Sequence, residues 1–173
     1  IEIITPQKEE TERELDYLYS VRHELSGCAV DEELKDIEEE LITEGLLPAP
    51  KKKNKQTAES ACREYVIDGY AVKVGKNNVQ NDRLLARAFK DDVWLHTKGF
   101  HSPFAIVETK GDEIPDRVIC KAAEICAFYS DGGKGGKVRV DYTKRKNVKK
   151  PPKAKAGSVI YNDYKTVYVI PDG

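Results

Sequence analysis

No run of apolar residues in this 173-residue chain approaches the length a helix needs to cross a bilayer, and no charged-then-apolar leader opens it. A membrane partner is therefore not expected. The chain begins with Ile1 rather than Met, which predicts a piece of a longer protein. Cysteine is sparse and scattered: Cys28, Cys62, Cys120 and Cys126 form no C-x-x-C pair, and the histidines do not cluster with them. That spacing argues against a zinc site, and no metal is expected. Cys120 and Cys126 fall in an apolar helical pattern, where buried free thiols are the usual outcome, so a reducing, cytoplasmic setting is expected.

Catalytic signatures are missing too. No Ser or Cys sits in a nucleophile turn, and no glycine-rich phosphate loop follows a strand and precedes a helix. The "GGKGG" segment lacks the Walker spacing and follows a helix instead. Asp92 and His96 invite an acid–base pairing, yet four residues apart on a strand they stand about 13 Å apart. No enzyme, catalytic residue or cofactor is expected; a hydrolase using Asp92, His96 or Asp141 is the weakest of the rival readings.

What the chain has is charge, at 34% of residues, and the charge is polarised. Residues 1–47 carry 15 acidic and 4 basic side chains, whereas residues 48–173 carry 15 acidic and 25 basic, although the total is only −1. Such a split marks separate partners for the two parts.

The first part reads as a short acidic helical arm. Thr5-Pro6 is a start signal, and Glu9, Glu10 and Glu12 follow in the early turns. Leu15, Leu18 and Leu25, with Arg22 between them, recur at coiled-coil spacing, and Ser26-Gly27 is a stop. Leu34, Ile37 and Leu41 predict a second helix from about Asp31 that ends at Gly45. Residues 48–61, "PAPKKKNKQTAESA", form a basic linker.

From residue 62 to 173 the pattern is α+β, a mixed or antiparallel sheet with one main helix packed on it. "REYVIDGYAVKVG" predicts a hairpin around Asp68-Gly69, and "NDRLLARAF" a short helix capped near Asn81 or Asp82. "DVWLH" and "PFAIVE" read as strands, the second interior. Pro115 opens the best helix, and "KVRVDYT", "SVIYN" and "TVYVIP" supply three more strands.

The stretch that asks for a partner is "VDYTKRKNVKKPPKAKAG". Between Lys144 and Lys155 it holds seven cations and no acid: Lys144, Arg145, Lys146, Lys149, Lys150, Lys153 and Lys155. Uncompensated charge repels itself unless something anionic uses it, and each cation that meets a phosphate releases a counterion. Pro151 and Pro152 stiffen the loop, and Tyr142, Tyr161 and Tyr164 lie near its ends as possible stacking faces. Nucleic acid is the expected ligand. "GKNNVQND" is first a turn and helix cap; its amides Asn77, Asn78 and Gln80 are secondary candidates for reading a base or ribose. Trp94 is expected in the core, with His96 a half-buried or contact histidine.

Four ordered motifs, "GKNNVQND", "DDVWLHTKG", "VDYTKRKNVKKP" and "SVIY…TVYVIPDG", resemble the C-terminal NFACT-R domain of the RqcH/NEMF family, whose bacterial members also carry the label fibronectin-binding protein A. "DEELKDIEEELITEGLL" resembles the end of that family's middle coiled-coil region. The resemblance implies a ribosome quality-control factor that binds obstructed large subunits through rRNA and tRNA and supports C-terminal alanine tailing of stalled peptides. Contacts of the arm with ribosomal proteins are a further implied partnership. An extracellular fibronectin-binding adhesin is the alternative that the older label implies. Two departures from the family pattern stand out. Phe100, His101, Ser102 and Pro103 replace a Pro-Gly-Ser-His run, so no family role passes to His101. Lys153 and Ala156 replace Gly and Pro, which makes the basic loop more charged and less rigid.

Overall fold

The computed structural model describes residues 4–49, 60–109 and 111–172; most of the expected linker lies outside them. Helix α1 (Ile4–Gly27) is followed by α2 (Asp31–Thr43). Beyond α2, Gly45 takes a positive φ of 75°, and the Leu46 amide returns to the Leu41 carbonyl at 2.8 Å, a terminus glycine allows without strain. The two helices share a small core of Tyr17, Val21 and Ile37.

That core corrects the expected seam. Leu15, Leu18 and Leu25 are exposed. The buried line on α1 runs through Tyr17, Val21 and Glu24, at i, i+4 and i+7. Two neighbouring stripes fit the helical period, and the arm buries the one whose polar groups match the domain.

The second part is a six-stranded sheet in the order β1-β2-β4-β3-β5-β8, antiparallel in every pairing. Its strands are β1 (Arg63–Ile67), β2 (Tyr70–Val74), β3 (Val93–Thr97), β4 (Ala105–Val107), β5 (Val138–Lys144) and β8 (Lys165–Val169). Asp68 and Gly69 join β1 to β2 with φ of 50° and 82°, the mirror-image turn that matches the strand twist. Strand β4 lies inside the sheet, as its uninterrupted apolar run predicts.

Helix α4 (Asp116–Phe128) covers one face. Val118, Ile119, Ala122, Ala123 and Cys126 meet Val72, Leu95, Val107 and Val140 in the main core. Each large side chain buried there contributes about 1.5–3 kcal/mol. Burial pushes the Cys126 thiol up to about 12, so it stays protonated and inert. The four cysteines are unpaired, and Cys120 is only half-buried.

On the other face, Trp94 and Ile106 pack with Phe104, with Leu84 and Leu85 of α3 (Asn78–Arg87), and with Val148. Two expectations shift here. Helix α3 starts earlier than expected: Asn77 is its N-cap, its Oδ1 accepting the Gln80 amide at 2.8 Å. The strand expected within "SVIYN" is short and leaves the main sheet. It is β7 (Ile160–Tyr161), paired only with β6 (Val148–Lys149), which the basic segment itself supplies.

Candidate nucleic-acid interface

The basic segment is a held hairpin rather than a free loop. After β5 it makes one 3-10 turn at Arg145–Asn147, enters β6, and returns through β7. Asp82 on α3 clamps the connection at both ends, accepting from Lys150 Nζ and from the Gly157 amide at 3.2 Å. Gly157 sits at φ 75°, and a Cβ there would lie 2.1 Å from Asn78 Oδ1. Positive φ and close approach together leave room for glycine alone.

The seven cations separate once placed on this hairpin. Lys144, Lys146, Lys149 and Lys153 are exposed. Lys144 and Lys146 lie 3.5 and 3.7 Å from Asp91, exposed pairs of small net value that a phosphate can replace. Among the described residues, Lys149 and Lys153 have no acidic partner. Arg145 behaves differently. Its Nε donates to the Leu85 carbonyl and its guanidinium to the Val148 carbonyl at 3.1 Å, while its amide bonds the Asp92 carbonyl at 2.7 Å. Arg145 therefore staples the hairpin to α3. Lys155 lies over the Tyr17 ring, 4.5 Å from its centroid and 4.0 Å from Glu14, so the tip of the hairpin touches the arm.

The amide cluster is placed against its expected role. Asn77, Asn78 and Gln80 are 1%, 6% and 3% exposed. Their side chains meet the carboxylates of α2: Asn77 Nδ2 and Gln80 Nε2 approach Asp36 Oδ2 at 3.4 Å, and Asn78 Nδ2 donates to Glu40 Oε1 at 3.2 Å. Lys76 adds a 2.6 Å ion pair with Glu33. Amides spent inside a protein interface present nothing to a base, so this cluster is the socket for the arm. His23 of α1 completes the attachment, with Nδ1 2.6 Å from Asp131 Oδ1 and Nε2 3.0 Å from the Tyr129 carbonyl.

The socket has one uncomfortable group. Burial, aided by the nearby Glu40 carboxylate, pushes Glu24 up to about 9, and burial also raises Glu40. Glu24 is thus held neutral at pH 7.

His96 is also withdrawn from charge. It stacks on Trp94 with ring centroids 5.7 Å apart and meets Phe104 edge-on, and burial lowers it to about 4. A neutral ring there contributes surface and shape, with no charge for a phosphate. Trp94 is fully buried, as expected. Asp92 accepts the Phe89 and Thr109 amides at 2.7 and 2.9 Å and fixes the entry to β3. A cavity of about 1530 Å³ opens between α1 and the loop ends of the sheet. Lys98, Lys134, Lys153 and Lys155 stand on its domain side, and Glu10 and Glu14 on its arm side. Among the described residues no cluster of His, Cys, Asp or Glu is arranged to hold a metal ion, and no helix is long and apolar enough to cross a membrane.

A six-stranded sheet bearing a clamped basic hairpin, joined to an acidic helical arm, defines an α+β module with a docked helical extension. Residues 63–163 match the family described as the NFACT protein RNA binding domain, and residues 1–60 match the NFACT N-terminal and middle domains. The chain belongs to the NFACT family. It is 35% identical over 178 aligned residues to the Rqc2 homolog RqcH of Bacillus subtilis, covering 99% of this chain and 30% of that protein. It is 32% identical over 174 residues to the Rqc2 homolog RqcH of Streptococcus pneumoniae, covering 99% of this chain and 31% of that one. The chain thus spans about a third of the length of these curated relatives. Among solved structures, the C-terminal part of the fibronectin/fibrinogen-binding protein of Streptococcus suis superposes with a TM-score of 0.89 at 32% identity, over 99% of this chain and 69% of that one.

Proposed function

We propose that this chain is the RNA-binding end of a ribosome-associated quality-control factor, and that its basic hairpin meets the phosphates of large-subunit rRNA or tRNA. The observation that carries the proposal is the exposure of Lys144, Lys146, Lys149 and Lys153 along one hairpin pinned by Asp82 and Arg145. A pinned hairpin loses little conformational freedom on binding, so its phosphate contacts are not spent on ordering it. In the whole protein this surface would hold obstructed subunits and charged tRNA while stalled peptides receive alanine tails. The module would position RNA, in the cytoplasm, and carry out no reaction itself. The exposed leucines of α1 would face ribosomal protein. The test is fluorescence anisotropy on tRNA and on large-subunit rRNA across a salt series. A steep loss of affinity with salt supports phosphate contact, and its slope counts the phosphates. A flat salt response sinks the reading.

The name of the Streptococcus suis relative supports a second reading, a module that binds fibronectin or fibrinogen. Surface labelling of intact cells separates the two, because an adhesin is labelled before lysis.

A further inference from the structure

The sheet face opposite α4 is only partly covered. Over β4 and β3 it carries α3 and the β6–β7 hairpin, and Tyr161 and the turn after it cover Asp141 and Thr143 of β5, but at Arg139 and along the edge strand β8 it is open. Arg139 on β5 and Tyr168 on β8 are cross-strand partners there, and Tyr168 is 63% exposed. The amide of Lys98, just past β3, donates to the Arg139 carbonyl at 2.9 Å, and its side chain is exposed. From β7 and the turn after it come Tyr161 and Tyr164. Their rings meet edge-on with centroids 5.2 Å apart, and Lys98 Nζ lies 5.9 Å from the centre of Tyr161.

One buried carboxylate organises these groups. Asp141 is fully buried and accepts from Thr166 Oγ1 at 2.6 Å, Tyr161 OH at 3.0 Å and Arg139 Nε at 3.2 Å. It therefore sets the direction of the guanidinium and of one ring together. Tyr168 exposed on the edge strand and Tyr164 exposed in the turn before it otherwise invite solvent or aggregation; with Tyr161 braced against Trp94 behind them and Arg139 and Lys98 beside them, they suit a flat, apolar ring attached to a phosphate.

We propose that this open face, built from Lys98, Arg139, Tyr161, Tyr164 and Tyr168, is a stacking platform for unpaired RNA bases. The proposal rests on the RNA-binding reading above and gives it a ligand class. Tyrosine faces take bases whose planes are free, while Arg139 and Lys98 take the adjoining phosphates. A duplex keeps its base planes stacked and cannot use the rings. The platform is continuous with the basic hairpin, since Ile160, next to Tyr161, pairs with Lys149. A strand leaving the tyrosines runs onto the lysines.

The test compares this chain with a Tyr164→Ala/Tyr168→Ala variant, using a labelled oligouridine of about 12 nucleotides and an RNA duplex of the same length, by anisotropy at fixed salt. The platform requires about a tenfold or greater loss of affinity for the single strand, with duplex affinity moving less than about twofold. Tyr164→Phe/Tyr168→Phe keeps the rings and restores single-strand binding. Unchanged single-strand affinity in a variant with wild-type circular dichroism overturns the proposal and gives the face to a protein partner. Equal loss on both probes overturns it as well, as does failure of the unaltered chain to bind the single strand. A variant carrying Glu at Lys144, Lys146, Lys149 and Lys153 separates the two readings. Unchanged binding to both probes removes the hairpin assignment and leaves the tyrosine result to stand by itself.

Discussion

Two polar stretches along the chain are candidates for RNA, 76–82 as a secondary one and 144–155 as the leading one, and the fold treats them in opposite ways. The first is folded inward. Its amides and Lys76 receive Glu33, Asp36 and Glu40 from the arm, with Ser20 and Ser60 as further acceptors, so its donors are used within the chain. The second stays outside because Asp82 and Arg145 hold it by its roots and leave four lysine heads in water. Polar composition therefore does not identify a ligand surface. What matters is whether the same chain supplies complementary groups within reach.

The largest effect expected from breaking this contrast is on the exposed stretch. Replacing Lys144, Lys146, Lys149 and Lys153 by Glu should lower RNA affinity by roughly two orders of magnitude or more at moderate salt. It should also reduce the log–log salt slope by about 3 to 4, with Tm nearly unchanged. Parallel anisotropy and thermal melts check both halves.

The inward stretch should respond the other way. Asp36→Ala leaves Ser60, Asn77 and Gln80 without their shared acceptor, and should cost about 3 kcal/mol in urea unfolding while the salt slope for RNA stays the same. A smaller cost, about 2 kcal/mol, is expected for Gly157→Ala, because the new Cβ meets Asn78 in a backbone conformation that disfavours it.

The smallest effect is a pH dependence. Glu24 has a raised pKa in the folded chain, so between pH 4.5 and about 9 the folded state binds more protons than the unfolded one. Stability from this group therefore falls as pH rises through that window. Glu24→Gln should remove the slope and raise Tm at pH 8 by about 2–4 °C. A Tm–pH profile that is the same in both chains would show that Glu24 carries no such penalty. His96 has the opposite sign, since its lowered pKa means stability is lost as pH falls from about 6.5 toward 4.

Much of this architecture is legible along the chain. Period-two alternation marks β1, β2, β3, β5 and β8, Asp68-Gly69 marks the first turn, and Pro115 with its apolar stripe marks α4. Each of these is a local signal, because strand pleat and helical period are properties of a few neighbouring residues. The start of α3 is ambiguous along the chain because Asn77, Asn81 and Asp82 are all good caps, and only the tertiary fit of Asn77 selects among them. The α1 seam is ambiguous for a similar reason. Leucine spacing shows that a stripe exists, whereas the buried stripe is the one carrying Tyr17 and Glu24 toward the socket.

The open platform was only partly visible. Tyr161 and Tyr164 stand out as aromatics near the basic run, but Tyr142 beside them packs into the main core on the other face. Arg139 and Tyr168 lie 29 residues apart and face each other only through the β5–β8 register. By itself, then, the sequence determined the secondary elements, the polarity of charge and the concentration of cations between Lys144 and Lys155. The tertiary structure decided which polar groups remained available to a ligand. That decision depends on contacts across tens of residues, such as Asp36 with Gln80 and Glu40 with Asn78, where a buried polar group must find its partner or not be buried at all.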